Sequence, residues 1–109
     1  LTDPNTAIVD YGCGTGLVGE HLSAAGYSVV DGVDYSPGML DVSRVKGCYR
    51  ATIQADLTRP LDIPDGAYDA MICAGVMGAG HLVPEHFAEL FRTVKPGGPI
   101  VLFGNGTPY

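Results

Sequence analysis

The sequence is poor in several residue types that particular protein classes require. Among its 109 residues there are three cysteines, no tryptophan and six lysines and arginines. The cysteines are odd in number and never form a Cys-x-x-Cys pair, so neither a disulfide framework nor a zinc knuckle is predicted. Twelve acidic residues give a formal net charge of -6, and no basic run occurs. We therefore expect no binding to a nucleic-acid backbone.

Long hydrophobic runs are also missing. No apolar stretch approaches the roughly 18 residues of a membrane span, and residues 1–4 lack the basic start of a signal peptide. We therefore expect a cytoplasmic protein without a membrane segment. His81 and His86 have no partners at metal-ligand spacing, so no metal site is predicted.

Glycine and proline, in contrast, are plentiful. The sixteen glycines and eight prolines lie between apolar runs and show no period. This distribution excludes a collagen-like chain and argues against disorder. The length allows one hydrophobic core, so residues 1–109 are interpreted as a single, partial domain.

Alternating apolar runs and helically spaced apolar residues predict eight elements. We predict strands at residues 7–10, 27–33, 49–55, 70–74 and 100–103, and helices starting near residues 17, 37 and 84, the last ending near 94. The connection 56–69 has no helical pattern. Strands that alternate with helices predict an α/β, Rossmann-like, doubly wound and mainly parallel sheet. The unbroken apolar run of the fifth strand predicts burial on both of its faces.

A glycine-rich segment follows the first predicted strand. Gly14, Gly16 and Gly19 match the pattern G-x-G-x-x-G, and Asp34 lies twenty positions after Gly14, as in NAD-binding proteins. Asp10, however, would place a carboxylate against the pyrophosphate of NAD. A cofactor with an ammonium and a sulfonium group, S-adenosylmethionine, suits this carboxylate better. An NAD-binding oxidoreductase domain stays the alternative, together with a fragment that binds the cofactor without catalysis.

Acidic residues end three consecutive predicted strands. Asp10 ends the first, Asp34 the second and Asp56 the third. Asp34 suits a ribose diol, although it could instead be a helix N-terminal charge. Asp56 suits an adenine amino group and could instead form a turn. Asp31 should point to the opposite face of its strand, so we expect it to be exposed to solvent.

These motifs resemble the class I S-adenosylmethionine-dependent methyltransferases. The resemblance covers most of the chain and rests on residues 9–16, 32–40, 55–57, 68–72 and 94–98. Residues 14–20 and the loop after the fourth strand look most like methyltransferase-like proteins of the Williams-Beuren region type. The resemblance implies the sheet order 3-2-1-4-5, normally extended by a 7-6 hairpin. We expect this chain to be truncated before that hairpin, which leaves the edge of the fifth strand open to a partner or to self-association.

The resemblance also implies the cofactor and its contacts. The predicted S-adenosylmethionine-binding residues are Asp10, Gly12, Cys13, Gly14, Asp34, Tyr35, Met39, Asp56, Leu57 and Ala74. Met39 and Leu57 would flank the adenine ring, although both could be core residues instead. No Asn-Pro-Pro-Tyr follows the fourth strand, so we expect a small-molecule or protein substrate rather than a nucleic-acid base. Catalytic residues stay unassigned, with His81 the best candidate for a general base.

Overall fold

The structure is a computed structural model of the chain and describes residues 3–74 and 84–103. It contains a five-stranded parallel sheet with the order β3-β2-β1-β4-β5. The strands are β1 (Ile8–Tyr11), β2 (Val30–Asp34), β3 (Ala51–Gln54), β4 (Ala70–Ala74) and β5 (Ile100–Phe103), and the helices are α1 (Leu17–Ala24), α2 (Pro37–Lys46) and α3 (Pro84–Arg92). The predicted fold class and strand order are therefore confirmed. None of the described helices is long and apolar enough to cross a membrane.

Two hydrophobic clusters lie on opposite faces of the sheet. On one face, Ile8 of β1 belongs to a cluster that packs against Val18 and Leu22 of α1. On the other face, Tyr11 of β1 shares a cluster with Phe87 of α3. Successive strand residues point to opposite faces, which explains how one short strand serves both clusters. The central strand β1 is fully buried, so the two clusters fix the position of its carboxyl end from both faces of the sheet.

Local sequence determines where α2 begins and ends. The side chain of Ser36 accepts a 3.2 Å hydrogen bond from the amide of Met39, and Pro37 occupies the first turn. Both features are typical of a helix N-terminus. Gly47 ends the helix with a φ of +66°, a conformation that favours glycine. The helix thus starts just after the carboxyl end of β2, where the sequence places Asp34.

The connection between β3 and β4 contains no helix, as predicted. It is held by side chains of α3 instead. The Arg92 guanidinium donates hydrogen bonds to the carbonyl oxygens of Leu61 and Ile63 at 3.1 and 2.7 Å. Glu89 accepts a 2.7 Å hydrogen bond from the amide of Leu61. Buried side chains of this connection therefore cover the sheet face where a crossover helix would otherwise lie.

The structure differs from the prediction in the ends of β2 and β3, which are shorter than predicted, and in the burial of α3 and β5. Helix α3 ends at Arg92, and Phe91 is 39% exposed and contacts the ring of Phe87 instead of joining the core. The prediction that β5 is buried on both faces is wrong, because Ile100 and Leu102 are 41% and 40% exposed. Among the described residues β5 pairs with β4 alone and lies at the edge of the sheet. An edge strand has fewer neighbours to cover it than a central strand.

Candidate functional site at the carboxyl ends of the strands

The glycine-rich loop between β1 and α1 folds over the end of β2. The amides of Gly12 and Cys13 both donate to the carbonyl oxygen of Val33, at 2.7 and 3.0 Å. Gly14 has a φ of +56°, and a Cβ placed there would meet no atom within 4 Å. The left-handed backbone therefore requires glycine at this position. The space beside Gly14 is open, as the approach of a ligand to the backbone needs.

Asp34 ties this loop to the start of α2. Its Oδ2 atom accepts a 2.7 Å hydrogen bond from the amide of Gly14, and its Oδ1 atom accepts a 3.0 Å bond from the amide of Ser36. The carboxylate is half-buried. A carboxylate has further lone pairs on both oxygens, so these two bonds leave acceptor capacity for a hydroxyl group. The alternative role of Asp34, as a negative charge at a helix N-terminus, is also compatible with this position, since Ser36 is the N-cap of α2.

Asp10 lies beneath the loop and is completely buried. Its Oδ2 atom accepts a 2.6 Å hydrogen bond from the hydroxyl of Tyr49. Its Oδ1 atom has no hydrogen-bond partner among the described residues. The pKa of Asp10 is raised to about 6, because burial, with the nearby charge of Asp34, outweighs the lowering effect of the Tyr49 hydrogen bond. A direct contact between Asp10 and a cofactor stays a prediction.

Asp56 follows β3 and forms a tight turn. Its Oδ1 atom accepts hydrogen bonds from the amide and the hydroxyl of Thr58, at 2.9 and 2.6 Å. These bonds lower the pKa of Asp56. The neighbouring Ala55 amide donates a 3.0 Å bond to the carbonyl oxygen of Asp34, which brings Asp56 to the same end of the sheet. The turn expected as the alternative is present, and the adenine contact stays a prediction.

The other predicted contact residues differ in their exposure. Tyr35 and Met39, at the start of α2, are 68% and 46% exposed. Leu57 is buried and packs into the core, while Ala74 is half-buried at the end of β4. Cys13 is buried in the loop, and burial raises the pKa of its thiol to about 12. The Cys13 thiol therefore stays protonated near neutral pH and is a poor nucleophile.

The expectation that Asp31 is exposed is wrong. Its side chain does point to the face opposite Asp10, but it is only 5% exposed. The Arg50 guanidinium forms two hydrogen bonds with the Asp31 carboxylate, at 3.0 and 2.7 Å, and the Tyr68 hydroxyl donates a third at 2.7 Å. Arg50 and Tyr68 are distant in sequence, so strand alternation alone could not predict them. Arg50 and Tyr68 thus stabilise the buried charge of Asp31, which lies away from the carboxyl end of β2.

One predicted residue is not described by the structure, and one residue of the site was not predicted from the sequence. His81, the candidate general base, lies outside the described residues. Tyr49 was missed because it belongs to no motif and lies between α2 and β3. No sequence pattern points to it; only the fold brings its hydroxyl to Asp10. Within residues 3–74 and 84–103, no group of histidines, cysteines and carboxylates is placed to bind a metal ion.

Comparison with known protein families agrees with this geometry. Residues 8–98 match a family model described as a methyltransferase domain. The match contains the glycine loop, all three acidic residues and the first four parallel strands, and it ends at the turn before β5. The chain belongs to the methyltransferase domain family.

Relatives and solved structures support the same family assignment. The chain is 39% identical to Methyltransferase-like protein 27 from Homo sapiens over 101 residues, which cover 91% of this chain and 41% of that protein. It is 33% identical to the Malonyl-[acyl-carrier protein] O-methyltransferase of Serratia marcescens, with 92% and 38% of the two chains covered. A crystal structure of an S-adenosylmethionine dependent methyltransferase from Mesorhizobium loti superimposes with a TM-score of 0.77 at 30% identity, covering 90% and 46%. The chain thus spans less than half the length of these relatives and belongs to the S-adenosylmethionine-dependent methyltransferases of class I.

The residues of this methyltransferase domain fit the cofactor of the family, S-adenosylmethionine. Asp34 offers a carboxylate with free acceptor capacity beside an open glycine loop. Asp10 supplies a buried negative charge under that loop, with one oxygen that has no hydrogen-bond partner among the described residues. An ammonium or sulfonium group is attracted to such a charge, and a hydroxyl group can bond to Asp34. The pyrophosphate of NAD would be repelled by the charge of Asp10.

Proposed function

We propose that this domain binds S-adenosylmethionine at the carboxyl ends of β1, β2 and β3 and transfers its methyl group to a small-molecule or protein nucleophile. The observation that carries the proposal is the 2.7 Å hydrogen bond between Asp34 and the amide of Gly14. This bond links Asp34, at the carboxyl end of β2, to the glycine loop that follows the neighbouring strand β1. The cofactor-binding elements of the family are thereby held in one place.

The described residues have distinct parts in this proposal. When bound, S-adenosylmethionine supplies a methyl group that is already activated on a sulfonium. Asp34 orients the ribose, and the loop at Gly14 leaves its backbone open to the ligand. Asp10 provides negative charge for the cationic end. The chain's share of catalysis is then alignment of the reactants and exclusion of water.

The proposed substrate class follows from charge and motif. The chain carries a net charge of -6, which repels a phosphate backbone. The sequence from the end of β4 onward reads Cys73-Ala74-Gly75-Val76-Met77-Gly78 and differs from the Asn-Pro-Pro-Tyr of enzymes that methylate base amino groups. A small molecule or a protein is therefore the acceptor class we propose. We further propose that the edge of β5 pairs with another strand, because among the described residues β5 pairs with β4 alone.

Calorimetry with purified 109-residue chain tests cofactor binding. We expect S-adenosylhomocysteine and S-adenosylmethionine to bind and NAD not to bind. Asp34→Ala should weaken binding by about tenfold or more, as loss of hydrogen bonds to a charged group predicts. Asp41→Ala, which removes an exposed carboxylate on α2, is the matched control and should leave affinity unchanged. Binding of NAD alone would overturn the proposal.

Methyl transfer is tested separately with radiolabelled S-adenosylmethionine and a panel of small-molecule and protein acceptors. We expect transfer to at least one acceptor and none from the heat-unfolded protein. Cofactor binding without transfer to any acceptor would show a binding domain that lacks catalysis by itself. That outcome would remove the catalytic half of the proposal and leave the binding half intact.

A further inference from the structure

Tyr49 is fitted into the wall of the proposed cofactor site from two sides. A Cβ on Gly19 of α1 would lie 2.6 to 2.8 Å from Cζ, Cε1 and the hydroxyl oxygen of the Tyr49 ring. A Cβ on Gly32 of β2 would lie 3.1 Å from Cε2 and Cζ of the same ring. Real Cβ atoms essentially never approach within 3.0 Å, and a distance of 3.1 Å is tighter than most real Cβ contacts. Both glycines therefore provide volume that the ring occupies. The third glycine of the G-x-G-x-x-G pattern therefore accommodates a tyrosine of this chain.

The ring is held so that its hydroxyl reaches Asp10. The Tyr49 hydroxyl donates to Oδ2 of Asp10 over 2.6 Å. Burial and the nearby Asp10 carboxylate both raise the pKa of Tyr49, so the hydroxyl keeps the proton that it donates. A hydrogen bond from a neutral donor stabilises the ionised carboxylate and leaves its charge in place. An arginine in this position would instead neutralise the charge.

The groups that surround Asp10 make this hydrogen bond important. Burial removes the carboxylate from water and favours its neutral form. Asp34 on β2 adds a like charge. The thiols of Cys13, Cys48 and Cys73 carry no positive charge, and Asp10 itself raises the pKa of each. Among these neighbours, the Tyr49 hydroxyl is the group that favours an ionised Asp10.

We propose that Tyr49 is a positioning residue of the cofactor site: it holds Asp10 ionised beneath the glycine loop, where the buried charge attracts the cationic end of S-adenosylmethionine. This inference rests on the proposed function and adds a residue outside the glycine and acidic motifs. A charge in a poorly solvated position acts over several ångströms, so Asp10 contributes even without touching the ligand. The Oδ1 atom of Asp10, which accepts no hydrogen bond from any residue that the structure describes, offers an acceptor to a donor of the ligand.

If Tyr49 has this role, the pH dependence of cofactor binding should change when its hydroxyl is removed. The wild-type affinity should fall as the pH drops through about 6, where Asp10 gains a proton. Tyr49→Phe keeps the ring and its packing but removes the hydroxyl. Burial and Asp34 then act on Asp10 without opposition, so its protonation moves to higher pH. The variant should therefore lose affinity near neutral pH and regain it in alkaline solution.

The test is calorimetric titration of S-adenosylmethionine and S-adenosylhomocysteine between about pH 5.5 and pH 9. We expect Tyr49→Phe to bind about two- to tenfold more weakly than wild type at neutral pH, because one hydrogen bond to a charged group corresponds to a shift of about one to two pKa units. At the alkaline limit its affinity should return to within about twofold of wild type. Asp10→Asn should bind weakly at every pH, with a flat profile.

Tyr11→Phe is the matched control. It also removes a buried tyrosine hydroxyl, which lies 2.7 Å from Thr93 Oγ1 on the opposite face of the sheet. We expect it to lower the melting temperature but to leave the pH profile of binding unchanged. A profile of Tyr49→Phe that superimposes on that of wild type would overturn the inference.

Carbon-13 NMR titration of the Asp10 carboxyl group in the ligand-free chain gives a second readout. Its midpoint should rise in Tyr49→Phe, and an unchanged midpoint would also overturn the inference. Failure of the proposed function looks different, since wild type itself would then bind neither ligand at any pH. The two failures are thus distinguishable.

Discussion

The ring of Tyr49 occupies the space that any side chain at Gly19 would need, since a Cβ there would lie 2.6 Å from its Cζ atom. Alanine normally stabilises a helix by about 0.5 to 1 kcal/mol relative to glycine. Overpacking of a filled core costs about 1 to 3 kcal/mol. We therefore expect Gly19→Ala to lower the free energy of unfolding by about 1 to 2 kcal/mol in chemical denaturation.

Gly38 provides the control for this prediction. It also lies in a helix, α2, but a Cβ there would have only the Ser36 side chain within reach, at 3.8 Å. Gly38→Ala should raise the free energy of unfolding by about 0.5 kcal/mol. In a Tyr49→Ala background the penalty of Gly19→Ala should disappear, because the two positions share one space. Equal effects of both glycine substitutions would contradict this explanation.

Asp56 has two possible roles, to bind the adenine amino group or to form a turn with Thr58, and substitutions at the two residues separate them. If Asp56 binds the adenine amino group, Asp56→Ala should weaken S-adenosylhomocysteine binding by about tenfold. Thr58→Ala removes the 2.6 Å hydroxyl bond to Asp56 but leaves the carboxylate in place, so it should change affinity by less than about twofold. Calorimetry measures both. Equal losses in the two variants would assign Asp56 to the turn and remove its adenine role.

The sequence predicts the sheet well because its elements obey local rules. The Ser36 and Pro37 start of α2 and the Gly47 stop are read directly from residue types. Strand ends are less well predicted: β2 begins at Val30 rather than at residue 27, and β3 covers only Ala51–Gln54. Hydrogen bonding to neighbouring strands decides these ends, and that pairing is not local.

The site is only partly predictable for the same reason. Glycines and acids at strand ends mark the carboxyl edge of the sheet, and the order β3-β2-β1 brings Asp56, Asp34 and Asp10 to neighbouring strands. The partners of these carboxylates come from elsewhere in the chain. Tyr49 reaches Asp10 across 39 positions, a contact that no spacing rule contains. Asp31 was misjudged because alternation gives the face of a residue and not what covers that face.

Arg50 and Asp31 provide a prediction about stability and pH. Burial raises the pKa of Asp31, but the hydrogen bonds from Arg50 and Tyr68 outweigh burial and hold it below its ordinary value. A lowered pKa in the folded state means that Asp31 stabilises the fold above its unfolded pKa and loses this effect as the pH falls. Arg50→Ala leaves a buried carboxylate with fewer donors, so its pKa should rise and its charge should destabilise the fold near neutral pH.

Chemical denaturation at several pH values measures this effect. We expect Arg50→Ala to lower the free energy of unfolding by about 1 to 2 kcal/mol at neutral pH, a modest value because Arg50 is half exposed and solvent screens the pair. The difference from wild type should shrink below about pH 4, where Asp31 is protonated in the variant and in the unfolded chain. Arg44→Ala, which breaks an exposed pair with Asp41, should show a small difference that is nearly constant. A constant difference for Arg50→Ala would contradict this account.

Arg92 is expected to hold the helix-free connection between β3 and β4. Its guanidinium bonds to Glu89, Asp65 and the carbonyl oxygens of Leu61 and Ile63. Arg92→Lys keeps the positive charge but replaces a planar group with five donors by a single ammonium. Lysine cannot bridge all of these acceptors at once, so the connection should open more often.

Hydrogen exchange detects that opening at the amide of Leu61, which donates to Glu89. We expect faster exchange there in Arg92→Lys, with unchanged exchange in β1, whose strand is central and fully buried. Arg44→Lys makes the same substitution on exposed α2 and should leave the Leu61 amide unaffected. An unchanged exchange rate of the Leu61 amide in Arg92→Lys would contradict this role of Arg92. The packing of the buried Leu61 and Ile63 side chains would then be enough to hold the connection.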